Sequence, residues 1–320
     1  MPLKSRNNNT DRFLADLMFL IILILPQGLS PPKNVAMDLD ASLASAYALP
    51  STEPTDMYTL DAATIADFKR DGACVLRGPF KDWVETLRAG IARNMAEPSA
   101  DVKIYTGQNG GGRFFGDYCN WQRIPEYRDF IFNSDAAAIG RELMGSKQVR
   151  LFHEHVLVKE ASADVATPWH QDQPYYCVDG DQTVSLWIPL DQVARERTLE
   201  FVGGSQGWGK YFRPERFNKT PLNENDGLEP VPDINGNRDK YNVLGWALEP
   251  GDAVAFNYKT LHGAPANNSA STGRRAFSLR LLGDDARFAR REGVVTSPPF
   301  RDVKLPHGAI MDAPEFPLIG

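Results

Sequence analysis

Cysteine and histidine are scarce in this sequence. Its 320 residues include only five histidines and three cysteines, Cys74, Cys119 and Cys177. An odd number of widely spaced cysteines excludes a disulfide framework and a zinc site built on CxxC pairs. A basic excess is also absent, because 41 acidic residues against 35 basic ones give a net charge of −6. This balance excludes a general nucleic-acid binder, which needs a basic surface.

The N-terminal region lacks an apolar run long enough to cross a membrane. The run from Leu17 to Leu25 covers nine residues and ends at Pro26, whereas a spanning helix needs about 20 residues. Basic residues precede this run, as they do in a signal peptide. We interpret residues 1–56 as a disordered or signal-like extension and linker, without stable membrane insertion. We expect residues 57–320 to form the functional domain of a cytoplasmic protein, and the apolar run leaves a secreted or exported form open.

From residue 57 onward, helical patterns come first and strand patterns follow. We predict helices from the cap Asp61 to about Lys69, at 83–94 and at 136–144. Strands are predicted at 73–76, 149–158, 183–190, 199–202, 253–256 and 277–282. Consecutive strands without intervening helices predict a mainly β fold, an antiparallel sandwich or barrel with flanking helices. The polar segment at about 206–241 is predicted to be a lid-like insertion.

A histidine and an aspartate stand two residues apart in the strand-rich region. On an extended strand, the side chains of His170 and Asp172 project from the same face and can bind one ion. His262, which follows the predicted strand at 253–256, is the candidate for a third ligand. Two imidazoles and one carboxylate are the facial triad of non-haem ferrous oxygenases, which leaves three coordination positions open.

An arginine downstream of the second histidine could bind a carboxylate. Arg274 and Ser278 share one face of a predicted strand, whereas Arg275 takes the other face. A guanidinium beside a hydroxyl suits the remote carboxylate of a dicarboxylate cosubstrate. The alternative is a solvated basic pair that opens the strand.

These motifs occur in an order that resembles the phytanoyl-CoA dioxygenase family. The resemblance covers residues from about 60 to 300. It is carried by Thr167-Pro168-Trp169-His170-Gln171-Asp172, Trp187 within Ser185-Leu186-Trp187-Ile188-Pro189-Leu190, Gly203-Gly204-Ser205, Pro250-Gly251-Asp252, His262-Gly263 and Arg274-Arg275-Ala276-Phe277-Ser278. Members of this family are ferrous iron- and 2-oxoglutarate-dependent oxygenases on a double-stranded β-helix, the jelly-roll fold that cupins also have.

The resemblance implies a role for each matching residue. His170, Asp172 and His262 would be the catalytic iron ligands. Arg274 would anchor the distal carboxylate of 2-oxoglutarate, with Trp187 and His155 as further cosubstrate contacts. The sequence departs from the family in two places. Gly203-Gly204-Ser205-Gln206 replaces the usual Pro-Gly-Ser-His turn, and the arginine lies one residue further from His262 than in some relatives, so Arg275 stays an alternative anchor.

The resemblance also implies cofactors and a reaction. Ferrous iron, 2-oxoglutarate and O2 would be required, with ascorbate helpful, and an unactivated carbon would be hydroxylated with release of succinate and CO2. The presence of Asp172 favours hydroxylation, because related halogenases lack this carboxylate. The substrate partner is expected to be a small organic or lipid-derived molecule rather than a polyanionic acyl-CoA. It would be enclosed by aromatic residues, namely Phe114, Phe115, Tyr118, Tyr175 and Tyr176.

Two other functions fit the sequence. One is a cupin-type metal enzyme that does not use 2-oxoglutarate, and the spacing of His153 and His155 could itself bind metal. The other is a non-catalytic barrel that binds small molecules. Among the remaining candidates, we expect Cys177 to pack in the interior and His307 to be an ordinary surface residue.

Overall fold

A computed structural model describes residues 57–106, 111–216, 220–223, 227–267, 269–291 and 294–320. The predicted extension at 1–56 and parts of the segment 206–241 lie outside these residues. The described α-helices are α1 (Ala62–Asp71), α2 (Val84–Ala96), α3 (Pro125–Asn133) and α4 (Ala136–Met144). Short 3-10 helices lie at Lys81–Trp83, Gln173–Tyr175, Arg195–Arg197, Ser205–Gly207 and Asn235–Lys240.

The rest of the described chain is built from short strands. They are β1 (Ala73–Leu76), β2 (Lys103–Thr106), β3 (Arg113–Tyr118), β4 (Arg150–Lys159), β5 (Thr167–His170), β6 (Val178–Asp179), β7 (Thr183–Pro189), β8 (Glu200–Val202), β9 (Phe212–Arg213), β10 (Glu229–Pro230), β11 (Val243–Leu244), β12 (Ala253–Phe256), β13 (His262–Ala264), β14 (Arg274–Leu282) and β15 (Arg287–Phe288).

Two antiparallel sheets make up the main body. The large sheet has the strand order β1-β12-β7-β14-β4-β3-β2, and the small sheet has the order β11-β8-β13-β5. Apolar side chains of both sheets, such as Trp187, Phe201 and Phe256, form one buried cluster. The sandwich thus places β4, β7 and β14 of the large sheet near β5 and β13 of the small one.

The helices pack against the large sheet. Phe277 of β14 is fully buried, and its ring contacts those of Tyr127 (centroids 4.9 Å apart) and Phe130 (5.5 Å) on α3. This face of β14 is apolar because its side chains alternate: residues 275, 277, 279 and 281 point away from the small sheet. None of the helices in the described ranges has the length and hydrophobicity needed to span a bilayer.

Most predicted elements are confirmed. The Asp61 side chain caps α1 by accepting from Thr64 N at 2.6 Å, and the strands at 73–76 and 253–256 have the predicted bounds. β14 begins at Arg274, three residues before its predicted start, so Arg274 and Ser278 lie on one strand. The elements that were not predicted include β2, β3, β13 and α3.

Candidate metal centre and adjoining cavity

Strand pairing brings the two predicted metal-binding histidines together. His170 ends β5 and His262 opens β13, and the antiparallel register sets these residues opposite each other. Asp172 follows β5, and its Oδ1 lies 3.6 Å from His170 Nε2 and 3.9 Å from His262 Nε2. Ligand atoms of all three residues lie within 4.8 Å of one another.

Backbone carbonyls orient both imidazoles. His170 Nδ1 lies 2.8 Å from the carbonyl oxygen of Pro168, and His262 Nδ1 lies 3.0 Å from that of Thr260. Because a carbonyl oxygen only accepts, each Nδ1 carries the proton and each Nε2 presents a lone pair. Burial, together with the neighbouring His170, lowers the pKa of His262 to about 3, so this imidazole is neutral near pH 7.

Asp172 is almost fully buried and nevertheless ionised. Burial alone would raise its pKa, but the adjacent His170 and His262 imidazoles and the Arg280 guanidinium bring the pKa below the usual range. The Tyr175 hydroxyl donates to Asp172 Oδ1. Asp172 Oδ2 lies 4.0 Å from Arg280 Nη2 and has no hydrogen-bond partner among the described residues.

A divalent cation fits these donors. A buried carboxylate oxygen without a partner is costly unless a cation compensates it. Two neutral nitrogens and one carboxylate are the donor set of non-haem ferrous sites, in which three positions stay open for other ligands. His170, Asp172 and His262 are therefore suited to hold ferrous iron.

The triad lines a cavity of about 460 Å³ between the two sheets. Arg274, Ser278, Trp187 and His155, the predicted cosubstrate residues, line the same cavity. Their grouping follows from register, because Ser278 on β14 pairs with His155 on β4 and with Trp187 on β7. Directly opposed residues on neighbouring strands point to the same face of a sheet.

Arg274 and Arg275 point in opposite directions. The Arg274 side chain is buried against the Trp187 ring, with its Cζ 5.8 Å from the ring centroid. The Arg275 side chain leaves the cavity and pairs with Asp191, with Arg275 Nε 3.0 Å from Asp191 Oδ2. The alternation of β14 therefore places only the first of the two guanidinium groups in the cavity that the triad lines.

His153 and His155 of β4 both face the cavity. Within the described residues, no carboxylate or thiol lies close enough to form a metal-binding group with them. His153 packs against the rings of Phe152 (centroids 4.9 Å apart) and Tyr176 (5.4 Å), and its Nε2 has no partner among the described residues. His155 lies edge-on to the Tyr118 ring at 5.6 Å. A second, cupin-like metal centre is therefore not formed by this pair.

Four of the five aromatic residues expected around the substrate line the cavity, and one does not. Phe115 belongs to the apolar cluster beneath the helices, because it alternates with Phe114 and Gly116 along β3. The expectation for Phe115 was therefore wrong. Cys177 is buried in an apolar cluster and His307 is exposed, as predicted.

Two buried cations in the cavity were not identified from the sequence. Arg280 continues the inward face of β14 after Arg274 and Ser278, and it donates from Nε to the Tyr176 hydroxyl at 2.8 Å. Lys159 ends β4 directly opposite Arg274. The alternation of β14 pointed to Arg280, whereas Lys159 could be found only through the pairing of β4 with β14.

A comparison with known protein families identifies the family of this chain. The family model described as phytanoyl-CoA dioxygenase matches residues 68–276. The chain belongs to the phytanoyl-CoA dioxygenase family. A comparison with the curated proteins finds no match.

Solved structures share the fold of this phytanoyl-CoA dioxygenase family member. The 2-oxoglutarate-dependent carbocyclase SnoK from nogalamycin biosynthesis is 20% identical with a TM-score of 0.66, covering 84% of this chain and all (100%) of SnoK. The epimerase SnoN, in complex with Fe3+, α-ketoglutarate and nogalamycin RO, is 22% identical with a TM-score of 0.63, covering 81% and 98%. EctD from S. alaskensis, with 2-oxoglutarate and 5-hydroxyectoine, is 20% identical with a TM-score of 0.56, covering 77% and 90%.

Family membership and the shared fold confirm several expectations. The fold is mainly β with flanking helices and a jelly-roll core. This phytanoyl-CoA dioxygenase family member is a non-haem iron enzyme that depends on 2-oxoglutarate, and ferrous iron and 2-oxoglutarate are its cofactors.

Proposed function

We propose that this chain hydroxylates an unactivated carbon of a small organic or lipid-derived molecule, with release of succinate and CO2. One observation carries the proposal: His170, Asp172 and His262 converge on a cavity that the buried guanidinium of Arg274 also lines. When bound, iron with 2-oxoglutarate and O2 supplies the oxidising power for attack on an unactivated carbon.

In this proposal the protein orients the two cofactors. His170, Asp172 and His262 hold the iron, and Arg274 binds the distal carboxylate of 2-oxoglutarate. Ser278 Oγ is buried without a hydrogen-bond partner among the described residues, so it can donate to the same carboxylate. Trp187 packs beside Arg274 and limits the movement of the guanidinium.

His155 contributes a neutral contact to the cosubstrate. Burial and the nearby charge of Arg280 lower its pKa to about 3. The imidazole can therefore accept or donate a hydrogen bond without adding charge to the site.

The substrate lies in the aromatic part of the cavity. Four aromatic residues line it, namely Phe114, Tyr118, Tyr175 and Tyr176. Segment 206–241 acts as the lid, an assignment supported by Pro214, Glu215, Arg216 and Leu222, which line the cavity. Such a lid would exclude water while the substrate carbon reacts.

Hydroxylation is favoured over halogenation because Asp172 is present. SnoK is a carbocyclase and SnoN an epimerase, so the outcome for this chain must be measured. Purified protein with ferrous iron, ascorbate and 2-oxoglutarate is screened against a library of small metabolites by mass spectrometry. We expect succinate together with a product one oxygen atom heavier than its substrate.

Paired variants sharpen this test. We expect Asp172→Ala to weaken iron binding, because one of three donors is lost. Arg274→Ala should raise the KM for 2-oxoglutarate by roughly tenfold or more, because a charge-assisted contact is lost. Arg275→Ala, whose side chain points away from the cavity, is the matched control and should leave this KM unchanged. A cyclised or epimerised product would overturn the hydroxylase assignment, and unchanged iron affinity in Asp172→Ala would overturn the metal site.

A further inference from the structure

His153 presents a buried nitrogen acceptor to the cavity. The residue lines the cavity and is 2% exposed. Its Nδ1 lies 3.2 Å from the carbonyl oxygen of Glu154, and this contact fixes the proton on Nδ1 because a carbonyl oxygen only accepts. Nε2 therefore carries a lone pair, and it has no hydrogen-bond partner among the described residues. A buried polar atom of this kind is costly unless a ligand or a water molecule satisfies it.

Aromatic rings surround the His153 imidazole. The distances between ring centroids are 4.9 Å to Phe152, 5.4 Å to Tyr176, 6.3 Å to Tyr118 and 6.3 Å to Phe300. Burial, together with the nearby charge of Arg280, brings the pKa of His153 well below its usual range, so the imidazole is neutral near pH 7. The group that Nε2 can bind is therefore a hydrogen-bond donor.

2-Oxoglutarate cannot satisfy this nitrogen. Its two carboxylates and its keto oxygen accept hydrogen bonds and donate none near neutral pH. The strand register also separates the two sites, because Arg280 lies opposite His153 whereas Arg274 lies six residues earlier on β14. Six residues of strand span about 20 Å. His153 therefore lies at the end of the cavity that is remote from the proposed anchor of the cosubstrate.

The metal centre lies close to the His153 end of the cavity. Directly opposed residues on neighbouring strands have Cβ atoms about 5 Å apart, and Arg280, opposite His153, has its Nη2 4.0 Å from Asp172 Oδ2. The Asp172 carboxylate offsets the charge of Arg280, so this end of the cavity does not require an anion. The same guanidinium repels a cation. A donor that binds His153 Nε2 is therefore a neutral group close to the metal.

We propose that His153 Nε2 accepts a hydrogen bond from a neutral donor of the substrate, a hydroxyl or an amide N–H group close to the carbon that reacts. This inference rests on the proposed function and narrows its substrate class to molecules that carry such a donor. A carboxylate would place an acceptor against the lone pair of Nε2, and a hydrocarbon would leave Nε2 unpaired. His153 is a specificity-determining residue in this arrangement and takes no part in the chemistry at the metal.

The test uses full-length protein loaded with ferrous iron and 2-oxoglutarate in the absence of O2. The probes are pairs of compounds of similar shape that differ in the donor, namely an alcohol with its alkyl fluoride and a secondary amide with its ester. Dissociation constants are measured by isothermal titration calorimetry for the wild type, His153→Leu and His153→Phe. Both substitutions remove the ring nitrogens, and phenylalanine keeps a ring among the aromatic neighbours. His307→Leu, on an exposed residue outside the cavity, is the matched control.

We expect the wild type to bind the donor member of at least one pair roughly tenfold more tightly than the other member, because the second compound leaves Nε2 unpaired. Both His153 variants should bind the two members with similar affinity, and the control should keep the wild-type preference. The variants should bind iron and 2-oxoglutarate as the wild type does. Their melting temperatures should be unchanged or higher, because the Glu154 carbonyl still accepts from Cys119 N at 3.2 Å and a buried unpaired nitrogen is removed.

Different failures have different meanings. The inference alone is overturned if wild-type protein that binds 2-oxoglutarate prefers the donor in no pair. It is also overturned if the preference persists in a His153 variant that binds iron as the wild type does. Loss of iron binding in both variants overturns it too, because His153 would then support the fold. If wild-type protein loaded with iron does not bind 2-oxoglutarate, the proposed function fails as well.

Discussion

The protein holds one polar atom of each side chain of the triad. Pro168 and Thr260 carbonyls hold Nδ1 of His170 and His262, and Tyr175 holds Oδ1 of Asp172. The two Nε2 atoms are left for a metal, and Asp172 Oδ1 lies 3.6 Å and 3.9 Å from them. Such outer contacts fix the orientation of ligands before metal arrives, which raises metal affinity.

Glu154 lies on the face of β4 that points away from the cavity, and burial there changes its pKa. It is fully buried on β4, and burial raises its pKa to about 7 from an ordinary value of 4.5. Its Oε1 accepts from Asn120 N, whereas Oε2 has no partner among the described residues. Between these two pH values the folded protein keeps the carboxyl protonated and the unfolded chain ionises it.

The Glu154 carboxyl therefore makes its full contribution to the free energy of unfolding below its ordinary pKa. This contribution is lost as the pH rises through about 7. We expect Glu154→Gln to abolish this pH-dependent loss in the free energy of unfolding, which is on the order of 3 kcal/mol. Urea unfolding of wild type and variant is compared at about pH 4 and about pH 8, which lie on either side of the two pKa values. It should show the variant more stable only at the higher pH. Glu142→Gln, on an exposed residue, is the control. Equal effects of Glu154→Gln at both pH values would contradict the assignment.

At the scale of elements, the metal centre depends on how β13 lies against β5. The register between them shifts after His262, at Gly263. A Cβ on Gly263 would lie 3.1 Å from the carbonyl oxygen of Thr167 and 3.3 Å from the Trp169 ring. A side chain at this position would therefore crowd the two strands, next to one candidate ligand and opposite the strand that carries another.

We expect Gly263→Ala to push the two strands apart and weaken iron binding on the order of tenfold, as changes to supporting contacts of metal ligands do. Equilibrium competition with a coloured chelator measures the affinity for ferrous iron. Gly207→Ala is the control, because a Cβ there meets nothing within 4 Å. Wild-type iron affinity in Gly263→Ala would show that the strand spacing is not critical.

The elements that were predicted and those that were missed differ in length and patterning. β4, β7 and β14 are long, buried strands whose apolar residues give a clear signal. β2 has mostly exposed residues, and β13 has only three residues, so neither carries a pattern. The candidate ligands His170, Asp172 and His262 were found by residue type, whereas Lys159 needed the strand register, which one sequence does not specify.

At the scale of the whole molecule, net charge was a poor guide to the site. The chain carries −6, yet six cationic residues and three acidic ones line the cavity. The cationic residues are Lys103, Lys159, Arg216, Arg274, Arg280 and Arg301, and the acidic ones are Asp101, Asp172 and Glu215. A cavity lined in this way attracts anions such as 2-oxoglutarate even within an acidic protein. The net charge of the chain therefore does not indicate the charge of the residues that line this cavity.

The predicted domain boundary leads to a prediction for the whole chain. The first described residues are already tied to the domain, because Tyr58 N donates to Asp135 Oδ2 at 2.9 Å and Leu60 is buried. The named helices, strands and cavity residues all come from residues 57–320. We expect a chain that starts at residue 57 to match the full-length protein in melting temperature and in affinity for iron and 2-oxoglutarate.

A second truncation, starting at Ala73, provides the contrast. It removes α1 together with Leu60 and Phe68, each of which contributes about 1.5–3 kcal/mol by burial. It also removes the carbonyl of Gly72, which accepts from Asn257 N at 2.9 Å. This shorter chain should melt at a lower temperature in differential scanning calorimetry. If the chain starting at residue 57 were destabilised to the same extent, the domain would extend into the preceding residues and the boundary would be wrong.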